Sequence, residues 1–504
     1  MKQINFKNKS FLIIAVYFFL VIFSFPSMCS ADSSAEQLER EPIDVVMTYV
    51  DLTDPKLQKD RKSRIKKEED NDELKYSVRS ILKNIPWIRK IHIITPNDKV
   101  KYFKDKDLIS DKISYIKDED LLGFKSSSSI TIEFNLWKLK KFGVTNNFIY
   151  MNDDFFIGKS IKKSDFFYVN NNKVVPYVIY NLGLNNNKYD TINDEYKHYK
   201  KIVAHQNAHL ASSFHYQRMS SFMLLYKILG KNIFVPSESL WHCPHNALGE
   251  NLDELKETYD AVKNNYEYAD SCLNAEKRNN KALQHQTFYS FYMLNKHKRK
   301  VKKLKIGYTD LISVAYANFN VPLFCINASA NINYSDDNYA YAKIVMERLF
   351  PKPTPYEKVE INNGTYVIES ALEKGKVWDI DSASNENGAN LRLWKANGTD
   401  AQKFSIRVQS DGTYTIEPLC SHKRIDVWGA GKSCGTNIWQ YEKNGSSAQK
   451  WYLVPVGKGY FYINPACNNL CADVDSANSK SGTNIRCWDP NGSKAQKFKF
   501  IKVK

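Results

Sequence analysis

The stretch that decides the fold of the C-terminal third is WDIDSASNENGANLRLWKANGTDAQKF, residues 378–404. It recurs as IDVWGAGKSCGTNIWQYEKNGSSAQKW at residues 425–451 and as ADVDSANSKSGTNIRCWDPNGSKAQKF at residues 472–498, with a period of 47 residues. Each copy has an Asp between apolar residues, a Gly-Ala/Thr-Asn step, a strand ending in an aromatic residue, an Asn-Gly turn and a final Gln-Lys-aromatic tripeptide. Short alternating strands between Gly and Asn turns are typical of all-β repeats. We therefore predict a three-fold repeated β-domain over residues 361–504.

These repeats resemble the ricin B-type lectin family, with its Asp-Val and Gln-x-Trp signatures, which implies a sugar-binding β-trefoil. In that family the Asp accepts hydrogen bonds from two sugar hydroxyls, the aromatic ring covers the apolar face of a pyranose, and the Gln completes the pattern. The corresponding carbohydrate-binding positions are Asp379, Trp394 and Gln402; Asp426, Tyr441 and Gln449; and Asp473, Trp488 and Gln496. The alternative is that these side chains only hold each lobe together. Ala401, Ala448 and Ala495 replace an Asn that the family often has before the Gln, which weakens one polar contact.

The length and composition of the chain limit the number of domains and the kinds of partner to expect. A chain of 504 residues exceeds what one core usually supports, so two or three domains are expected. The net charge of +17 suits acidic partners such as nucleotide phosphates, anionic sugars or anionic membranes, although a solvated basic surface explains it equally well. No Arg/Lys-rich motif of a nucleic-acid-binding module is present, so nucleic acid is not expected as a partner.

The N-terminus has the features of a targeting segment. Lys2, Lys7 and Lys9 precede an apolar run from Phe11 to Phe25, and Cys29-Ser30-Ala31 suits a cleavage site. We predict a signal peptide over residues 1–31, with an uncleaved signal anchor, and hence a membrane contact, as the alternative. The expected location is the secretory pathway (Golgi or ER lumen) or the extracellular space, with action on the cytoplasmic side less favoured. Secretory routing permits disulfides, and the resemblance to ricin-type domains implies pairs Cys471–Cys487 and, by parallel, Cys420–Cys434.

A proline-rich linker, residues 351–360, is predicted from the alternating prolines of Pro351-Lys352-Pro353-Thr354-Pro355. It separates the trefoil from a first domain over residues 41–350. That domain begins with the buried strand Ile43–Asp51, continues with a helix whose Leu74, Val78, Ile81 and Leu82 have helical spacing, and returns to a second buried strand at Pro86–Thr95. The order strand, helix, strand predicts an α/β domain with a mainly parallel sheet.

The stretch Asn147-Phe148-Ile149-Tyr150-Met151-Asn152-Asp153-Asp154-Phe155-Phe156 runs an apolar strand straight into two carboxylates. Such acids at a strand end can hold Mg²⁺ or Mn²⁺ on a diphosphate, because a hard cation with carboxylate ligands neutralises charge on the leaving phosphate. We therefore predict a divalent metal at Asp153 and Asp154. The alternative is that the pair forms a turn or caps a helix.

Three blocks, Ile43–Pro55, Asp70–Thr95 and Phe148–Phe155, occur in the order and spacing of the Stealth family, which includes bacterial capsular-polysaccharide phosphotransferases and the α/β subunit of N-acetylglucosamine-1-phosphotransferase. Looser matches follow at Trp241–Leu248 and from Pro322 to Glu357. The resemblance implies transfer of a sugar-1-phosphate, such as GlcNAc-1-phosphate, from a nucleotide-sugar to a hydroxyl of a glycan or glycoprotein acceptor, forming a phosphodiester.

Carried over by position, the implied catalytic residues are Asp153, Asp154, His242 as general base, and Arg79 and Arg278 at the phosphates; the implied nucleotide-sugar contacts are Asp44, Thr48, Arg79 and Glu133. Three of these have a plainer alternative: Asp44 could cap a turn, Arg79 could form a surface ion pair, and His242 could join Cys243 and His245 in a structural zinc site.

Departures from the family bear on activity. Thr48-Tyr49-Val50-Asp51-Leu52 stands where the family usually has Thr-Trp-Val and then Asp/Asn-Gly, and Ala328 replaces an acid in the last block. The alternatives are therefore a carbohydrate-binding protein with a catalytically decayed transferase domain, or a glycosyltransferase that uses the same acids.

Overall fold

The computed structural model describes residues 33–51, 54, 72–98, 100, 102–103, 112–181, 213–230, 247–277, 281–327, 335–357 and 361–503. Within these stretches, none of the helices combines the length and apolar character needed to cross a bilayer. The predicted signal segment, residues 1–31, lies outside the described residues.

The first domain contains twelve described strands and ten described helices. The strands are β1 Asp44–Thr48, β2 Ile91–Thr95, β3 Ile113–Lys117, β4 Asn147–Asn152, β5 Phe155–Ile157, β6 Phe167–Asn170, β7 Lys173–Pro176, β8 Val178–Asn181, β9 Leu248–Asn251, β10 Val301–Leu304, β11 Ile306–Asp310 and β12 Leu323–Asn327. The helices are α1 at residues 33–40, α2 Glu73–Asn84, α3 Asp118–Leu122, α4 Ser129–Phe134, α5 Lys163–Phe166, α6 Ser213–Leu229, α7 Leu252–Lys263, α8 Tyr266–Leu273, α9 His285–Lys296 and α10 Asp336–Leu349. Two 3₁₀ helices, Leu136–Phe142 and Val314–Tyr316, complete this part.

The central sheet has the order β3-β2-β1-β4-β9. Its first four strands are parallel, and β9 joins β4 antiparallel. The strands are near-continuous apolar runs because helices cover both faces: Val46, Phe148 and Tyr150 face one apolar cluster, while Val45, Met47 and Ile149 face the other. The predicted mainly parallel α/β fold is confirmed.

The second domain is a closed barrel with three hairpins. The strands are β13 Gly364–Ser370, β14 Lys376–Ile380, β15 Leu391–Lys395, β16 Phe404–Val408, β17 Tyr414–Pro418, β18 Arg424–Val427, β19 Ile438–Tyr441, β20 Trp451–Pro455, β21 Tyr460–Pro465, β22 Cys471–Val474, β23 Thr483–Trp488 and β24 Phe498–Lys502. Strands β13, β16, β17, β20, β21 and β24 pair in that cyclic order. The pairs β14–β15, β18–β19 and β22–β23 form the hairpins, one in each repeat, so the predicted β-trefoil is confirmed.

Three asparagines join the repeats. Asn390, Asn437 and Asn484, one from each repeat, donate their side-chain amides around a ring, with 2.9 Å in each hydrogen bond. A ring of equivalent residues surrounds a pseudo-three-fold axis. The 47-residue period therefore produces three equivalent lobes, numbered 1 to 3 in chain order.

Helix α10 connects the two domains physically. Its Ala340 and Ile344 share an apolar cluster with Val454, Tyr462 and Cys471 of the trefoil. Arg348, one turn further along, donates through Nη1 to the carbonyl oxygens of Asn468 at 2.6 Å and Pro465 at 3.1 Å and to Asn464 Oδ1 at 3.0 Å. The trefoil is thus docked on the first domain by packed and hydrogen-bonded contacts.

The predicted linker at 351–360 does not act as a free spacer through its first seven residues. The Glu357 carboxylate is buried against Arg79, with 2.7 Å between Oε2 and Nη2, and it accepts a hydrogen bond from the Thr354 backbone N–H. Glu357 also pairs with Phe103 in an isolated β-bridge. The prolines therefore belong to a segment packed on the first domain, because a buried ion pair binds its end. Residues 358–360 lie outside the described residues, and the boundaries 41–350 and 361–504 stay predictions.

The predicted disulfides are wrong in this structure, where Cys420, Cys434, Cys471 and Cys487 are free thiols. In the β22–β23 register Cys471 lies opposite Trp488 and Cys487 opposite Ala472, so the two cysteine side chains point to opposite faces. Cys487 enters the trefoil core, whereas Cys471 faces α10. Cys420 neighbours Asp379 in lobe 1, while Cys434 neighbours Asp489 in lobe 3, so this pair is separated as well.

Candidate functional site

The order of the central sheet creates one crevice where the chain reverses direction. From β1 the chain proceeds outward through β2 and β3, then returns to place β4 on the other side of β1. In open α/β sheets ligands bind outside the carboxyl ends of the strands at such a switch point. Thr48 ends β1 and is paired in register with Asn152, which ends β4 immediately before Asp153 and Asp154. The topology therefore places the predicted Thr48 and the two acids at one crevice.

Polar side chains line this edge of the sheet. Thr48 Oγ1 donates to Asn152 Oδ1 at 3.1 Å and lies 3.2 Å from the Tyr150 hydroxyl. On the neighbouring strand Thr95 Oγ1 donates to Asn97 Oδ1, which also accepts the backbone N–H of Asp51. The end of β1 is consequently bonded to both of its neighbours, which keeps the crevice wall in place.

Asp154 occupies the turn between β4 and β5. Its Oδ2 accepts a hydrogen bond from the Cys325 thiol at 3.4 Å, and its carbonyl oxygen accepts from the Ile326 backbone N–H at 3.2 Å. Its Oδ1 is buried with no hydrogen-bond partner among the described residues, although the residue as a whole keeps some exposure. Burial raises the pKa of Asp154 to about 6, against the lowering effect of the Cys325 hydrogen bond. A buried carboxylate oxygen of this kind is suited to bind a cation or a hydrogen-bond donor of a ligand.

This arrangement fits the divalent metal expected from the sequence. No group of three or more His, Cys, Asp or Glu side chains positioned to hold a metal ion occurs in the described part of the chain. Mg²⁺ is commonly held by only one or two carboxylates, with substrate phosphates and water as its other ligands. Asp153 and Asp154 would supply those two carboxylates, Asp154 through its Oδ1.

A buried polar cluster that the sequence analysis missed lies behind the crevice. Glu133 of α4, one of the predicted site residues, has its Oε1 3.4 Å from the Tyr150 hydroxyl. His285 Nδ1 lies 3.9 Å from both Glu133 Oε2 and Glu250 Oε1. Both ring nitrogens of His285 and both carboxylate oxygens of Glu250 have no hydrogen-bond partner among the described residues. The polar triplet Gln284-His285-Gln286 at the start of an otherwise apolar helix is the signal that could have revealed this cluster.

The charge states in this cluster follow from burial. Burial lowers the pKa of His285 to about 3, so the ring is neutral at neutral pH and its contacts with Glu133 and Glu250 are not ion pairs. Burial, with the nearby Glu133 and Glu254 carboxylates, raises the pKa of Glu250 well above its usual range. Protonated Glu250 can then donate a hydrogen bond, and neutral His285 can accept one.

We expect His285 to make the protein less stable as the pH falls below 6.5. Its folded-state pKa is about 3, below an unfolded value of about 6.5, so the unfolded chain binds an extra proton in that window. The contribution of His285 is complete above pH 6.5 and is lost by ~1.4 kcal/mol per pH unit on acidification. The free energy of unfolding in urea, measured from pH 7 to pH 4 for wild type and His285→Phe, tests this expectation.

The unfolding free energy of His285→Phe should fall less than that of wild type between pH 7 and pH 4. If the two free energies fall in parallel with pH, His285 is not the group responsible. His422→Asn is the matched control, because His422 is exposed and asparagine tolerates its φ of 55°.

Asp44 lies at the opposite end of β1 from the crevice. Arg89 binds its carboxylate through Nε at 2.8 Å and Nη2 at 2.5 Å, while His92 Nε2 and the Thr145 backbone N–H bind Oδ2 at 3.0 Å each. Burial alone would raise the pKa of Asp44, but these hydrogen-bond partners lower it to about 2. The structure therefore does not bring Asp44 to the nucleotide-sugar position. It assigns the buried Asp44 carboxylate to an ion pair with the half-exposed Arg89, which together with the bonds from His92 and Thr145 joins the amino ends of β1, β2 and β4.

Arg79 is likewise occupied, and it differs from both interpretations of the sequence. It is buried and not on an exposed helix face, and all three of its nitrogens are bonded within the protein. Nε and Nη2 donate to Glu357, and Nη1 donates to Glu347 Oε1 at 3.1 Å and to the Phe350 carbonyl oxygen at 2.7 Å. Because the guanidinium is buried and bonded through all three nitrogens to partners inside the protein, the structure gives it a role in joining α2, α10 and the 351–357 segment.

Several predicted site residues lie outside the described residues: His242 with Cys243 and His245, Arg278, and Ala328. Their proposed roles stay predictions. The described neighbours of Ala328 reach the crevice, since β12 pairs with β5 and its Cys325 touches Asp154.

In the trefoil the predicted glutamines and aspartates form the interior of each lobe. Gln402, Gln449 and Gln496 are buried, and each accepts a backbone N–H from the Asn of its own Asn-Gly turn at 2.8–3.0 Å. The amides of Gln402 and Gln496 also hold Asp379 and Asp473 through Oδ2. The glutamines therefore position the aspartates and have no free group for a sugar. Trp394, Tyr441 and Trp488 remain partly exposed.

Comparison with known proteins confirms both predicted resemblances. Residues 67–175 match the model of Stealth protein conserved region 2, and residues 356–441 and 421–488 match a ricin-type β-trefoil lectin domain-like model. The chain is 34% identical over 140 residues to a capsular polysaccharide phosphotransferase of Haemophilus influenzae, covering 25% of this chain and 38% of that protein. It is 36% identical over 151 residues to one of Actinobacillus pleuropneumoniae, covering 26% and 40%.

The chain thus spans about two fifths of the length of these two relatives. Among solved structures, the designed three-fold symmetric protein ThreeFoil is 29% identical over 28% of this chain and 100% of its own, with a TM-score of 0.27.

Proposed function

We propose that the first domain transfers a sugar-1-phosphate from a nucleotide-sugar to a hydroxyl of an acceptor glycan, and that the trefoil binds carbohydrate. The observation that carries this proposal is the pair Asp153–Asp154 at the β1/β4 switch point, where one buried oxygen of Asp154 has no hydrogen-bond partner in the described part of the chain. The Stealth match over residues 67–175 includes both acids, and the matched relatives are named phosphotransferases.

The reaction exchanges the phosphoanhydride bond of the nucleotide-sugar for a phosphate ester bond to the acceptor. The acceptor oxygen forms a bond to the phosphorus that carries the sugar, the bond from that phosphorus to the nucleoside monophosphate breaks, and the hydroxyl proton passes to a base. Such transfers depend on positioning and on charge stabilisation at the phosphoryl oxygens. A divalent cation held by Asp153 and Asp154 would supply part of that stabilisation, and His242 is the proposed base.

The donor fits the crevice for a physical reason. The carboxyl ends of β1, β2 and β4 present hydroxyl and amide groups at Thr48, Asn97 and Asn152, which can hydrogen-bond a ribose or a sugar. The anionic diphosphate requires a counter-charge, and the net charge of +17 lowers the cost of bringing an anion to this protein.

The docking of the trefoil on the first domain links carbohydrate binding to the transfer reaction. Because α10 holds the trefoil directly against the first domain, a glycan bound by a lobe stays near the active site at a raised effective concentration. The predicted signal segment supports a secretory or extracellular setting, where glycans and glycoproteins would be acceptors.

The full chain should convert UDP-GlcNAc and a simple methyl glycoside, with Mg²⁺ or Mn²⁺, into UMP and a phosphodiester-linked product. Chromatography of the nucleotide and phosphorus NMR of the product make the measurement. Release of UDP would show glycosyl transfer instead. Absence of turnover with a panel of nucleotide-sugars, while carbohydrate binding persists, would indicate a binding protein with an inactive transferase domain.

A further inference from the structure

The three lobes differ at two positions that the repeat makes equivalent. Lobes 1 and 3 have an aspartate and an arginine there, Asp381 with Arg392 and Asp475 with Arg486. Lobe 2 has a tryptophan at both positions, Trp428 and Trp439. These two substitutions remove the aspartate–arginine pair from lobe 2 and give it a different surface.

In lobes 1 and 3 the arginine covers the aromatic residue expected to contact sugar. Arg392 donates to Asp379 Oδ1 at 2.9 Å and to Asp381 Oδ1 at 2.5 Å, and its Cζ lies 4.0 Å from the ring centroid of Trp394. In lobe 3 the equivalent Cζ lies 4.2 Å from the ring of Trp488, and Asp475 holds the guanidinium at 2.8 Å. A guanidinium at this distance occupies the ring face. A pyranose would have to displace it and leave a carboxylate unpaired.

In lobe 2 the aromatic surface is open. Trp428 is 59% exposed, and its ring stands at 83° to that of Trp439, with 6.5 Å between centroids. Trp439 is held by a hydrogen bond from Nε1 to Asp426 Oδ1 at 2.9 Å and by stacking on Tyr441 at 5.9 Å. Gly388 of lobe 1 lies against its ring edge, where an added Cβ would come within 3.3 Å. One indole is therefore fixed and the other presents an open face beside it.

We propose that the trefoil binds an uncharged pyranose in lobe 2, in the corner formed by Trp428 and Trp439, and that lobes 1 and 3 are closed by their arginines. This inference rests on the proposed carbohydrate binding of the trefoil. An open indole offers an apolar plate for the C–H face of a pyranose. The two tryptophans of this corner stand where the other lobes have their aspartate and arginine, so lobe 2 has no ion pair there. The Asp426 carboxylate beneath the corner disfavours an anionic sugar.

The repeat itself supplies the test. The double variant Trp428→Asp/Trp439→Arg gives lobe 2 the residues that already fold in lobes 1 and 3. Calorimetric titration of the full chain with glucose, galactose, mannose, N-acetylglucosamine and N-acetylgalactosamine, one at a time, should show binding to wild type. The double variant should bind at least tenfold more weakly, as expected when aromatic anchors are removed. Tryptophan emission should shift to the blue on sugar binding only in wild type.

Controls and alternative outcomes separate this inference from the proposed function. Trp394→Ala and Trp488→Ala should leave affinity within about twofold of wild type, since neither residue is an anchor for the sugar. Trp428→Ala, at an exposed site, repeats the test without the new ion pair. Retained affinity in the double variant, or loss in Trp394→Ala or Trp488→Ala, overturns the inference alone. Failure of wild type to bind any of these sugars overturns it together with the lectin role, whereas the turnover assay judges the transferase role independently.

Discussion

Replacing Asp154 with Asn is expected to lower turnover of the nucleotide-sugar by about a hundredfold to a thousandfold, the effect of removing one essential electrostatic group from a preorganised site. The change removes the negative charge from the crevice at the β1/β4 switch point and keeps the shape of the side chain. The amide oxygen can still accept the Cys325 hydrogen bond. Initial rates of UMP release under saturating UDP-GlcNAc and metal make the measurement.

The same variant should not lose stability. Asp154 Oδ1 is buried without a described partner, and burial raises the pKa of the carboxyl group to about 6, so folding at neutral pH works against this charge. A neutral amide removes that cost, so the free energy of unfolding at pH 7 should be unchanged or higher. Asp165→Asn on α5 is the matched control and should retain full activity, because its partner is Lys302 and it lies outside the crevice. Activity of Asp154→Asn within tenfold of wild type would remove Asp154 from the mechanism.

The Arg79→Ala variant is expected to lose about 3–5 kcal/mol of unfolding free energy, the usual cost of breaking a buried ion pair. The truncation leaves the buried carboxylates of Glu347 and Glu357 without their guanidinium and removes the hydrogen bond to the Phe350 carbonyl oxygen. Urea unfolding of the full chain, followed by the fluorescence of its tryptophans, gives the change. Arg40→Ala, at an exposed ion pair with Glu36, should change stability by no more than the error of the measurement.

A triple variant distinguishes a structural Arg79 from a phosphate-binding one. Arg79→Met with Glu347→Gln and Glu357→Gln leaves no unpaired charge and should recover part of the lost stability. If Arg79 instead held the donor's phosphates, Arg79→Ala would raise KM for the nucleotide-sugar while the unfolding curve stayed in place. That result would return Arg79 to the active site.

The sequence determined what depends on local pattern. A 47-residue repeat specifies three equal lobes because each hairpin and its turn are built from neighbouring residues, such as the Gln402 side chain bonded to Asn397 five residues away. Long apolar runs such as Val45–Met47 specify buried parallel strands because only a sheet covered on both faces removes them from water. Asp153 and Asp154 could be identified because they directly follow the apolar run that forms β4.

Tertiary structure decided which polar side chains are already occupied. In the sequence Arg79 is a candidate for phosphate binding, but the fold pairs it with Glu357, which is 278 residues later. Asp44 is likewise a candidate for donor binding, but Arg89 and His92 bond to its carboxylate. In the trefoil the motif is equal in all lobes, but two substituted positions decide whether an aromatic face is covered or open. Hydrogen bonds and ion pairs between distant segments form only in the folded chain. The availability of a side chain to a ligand is therefore a property of its partners in space.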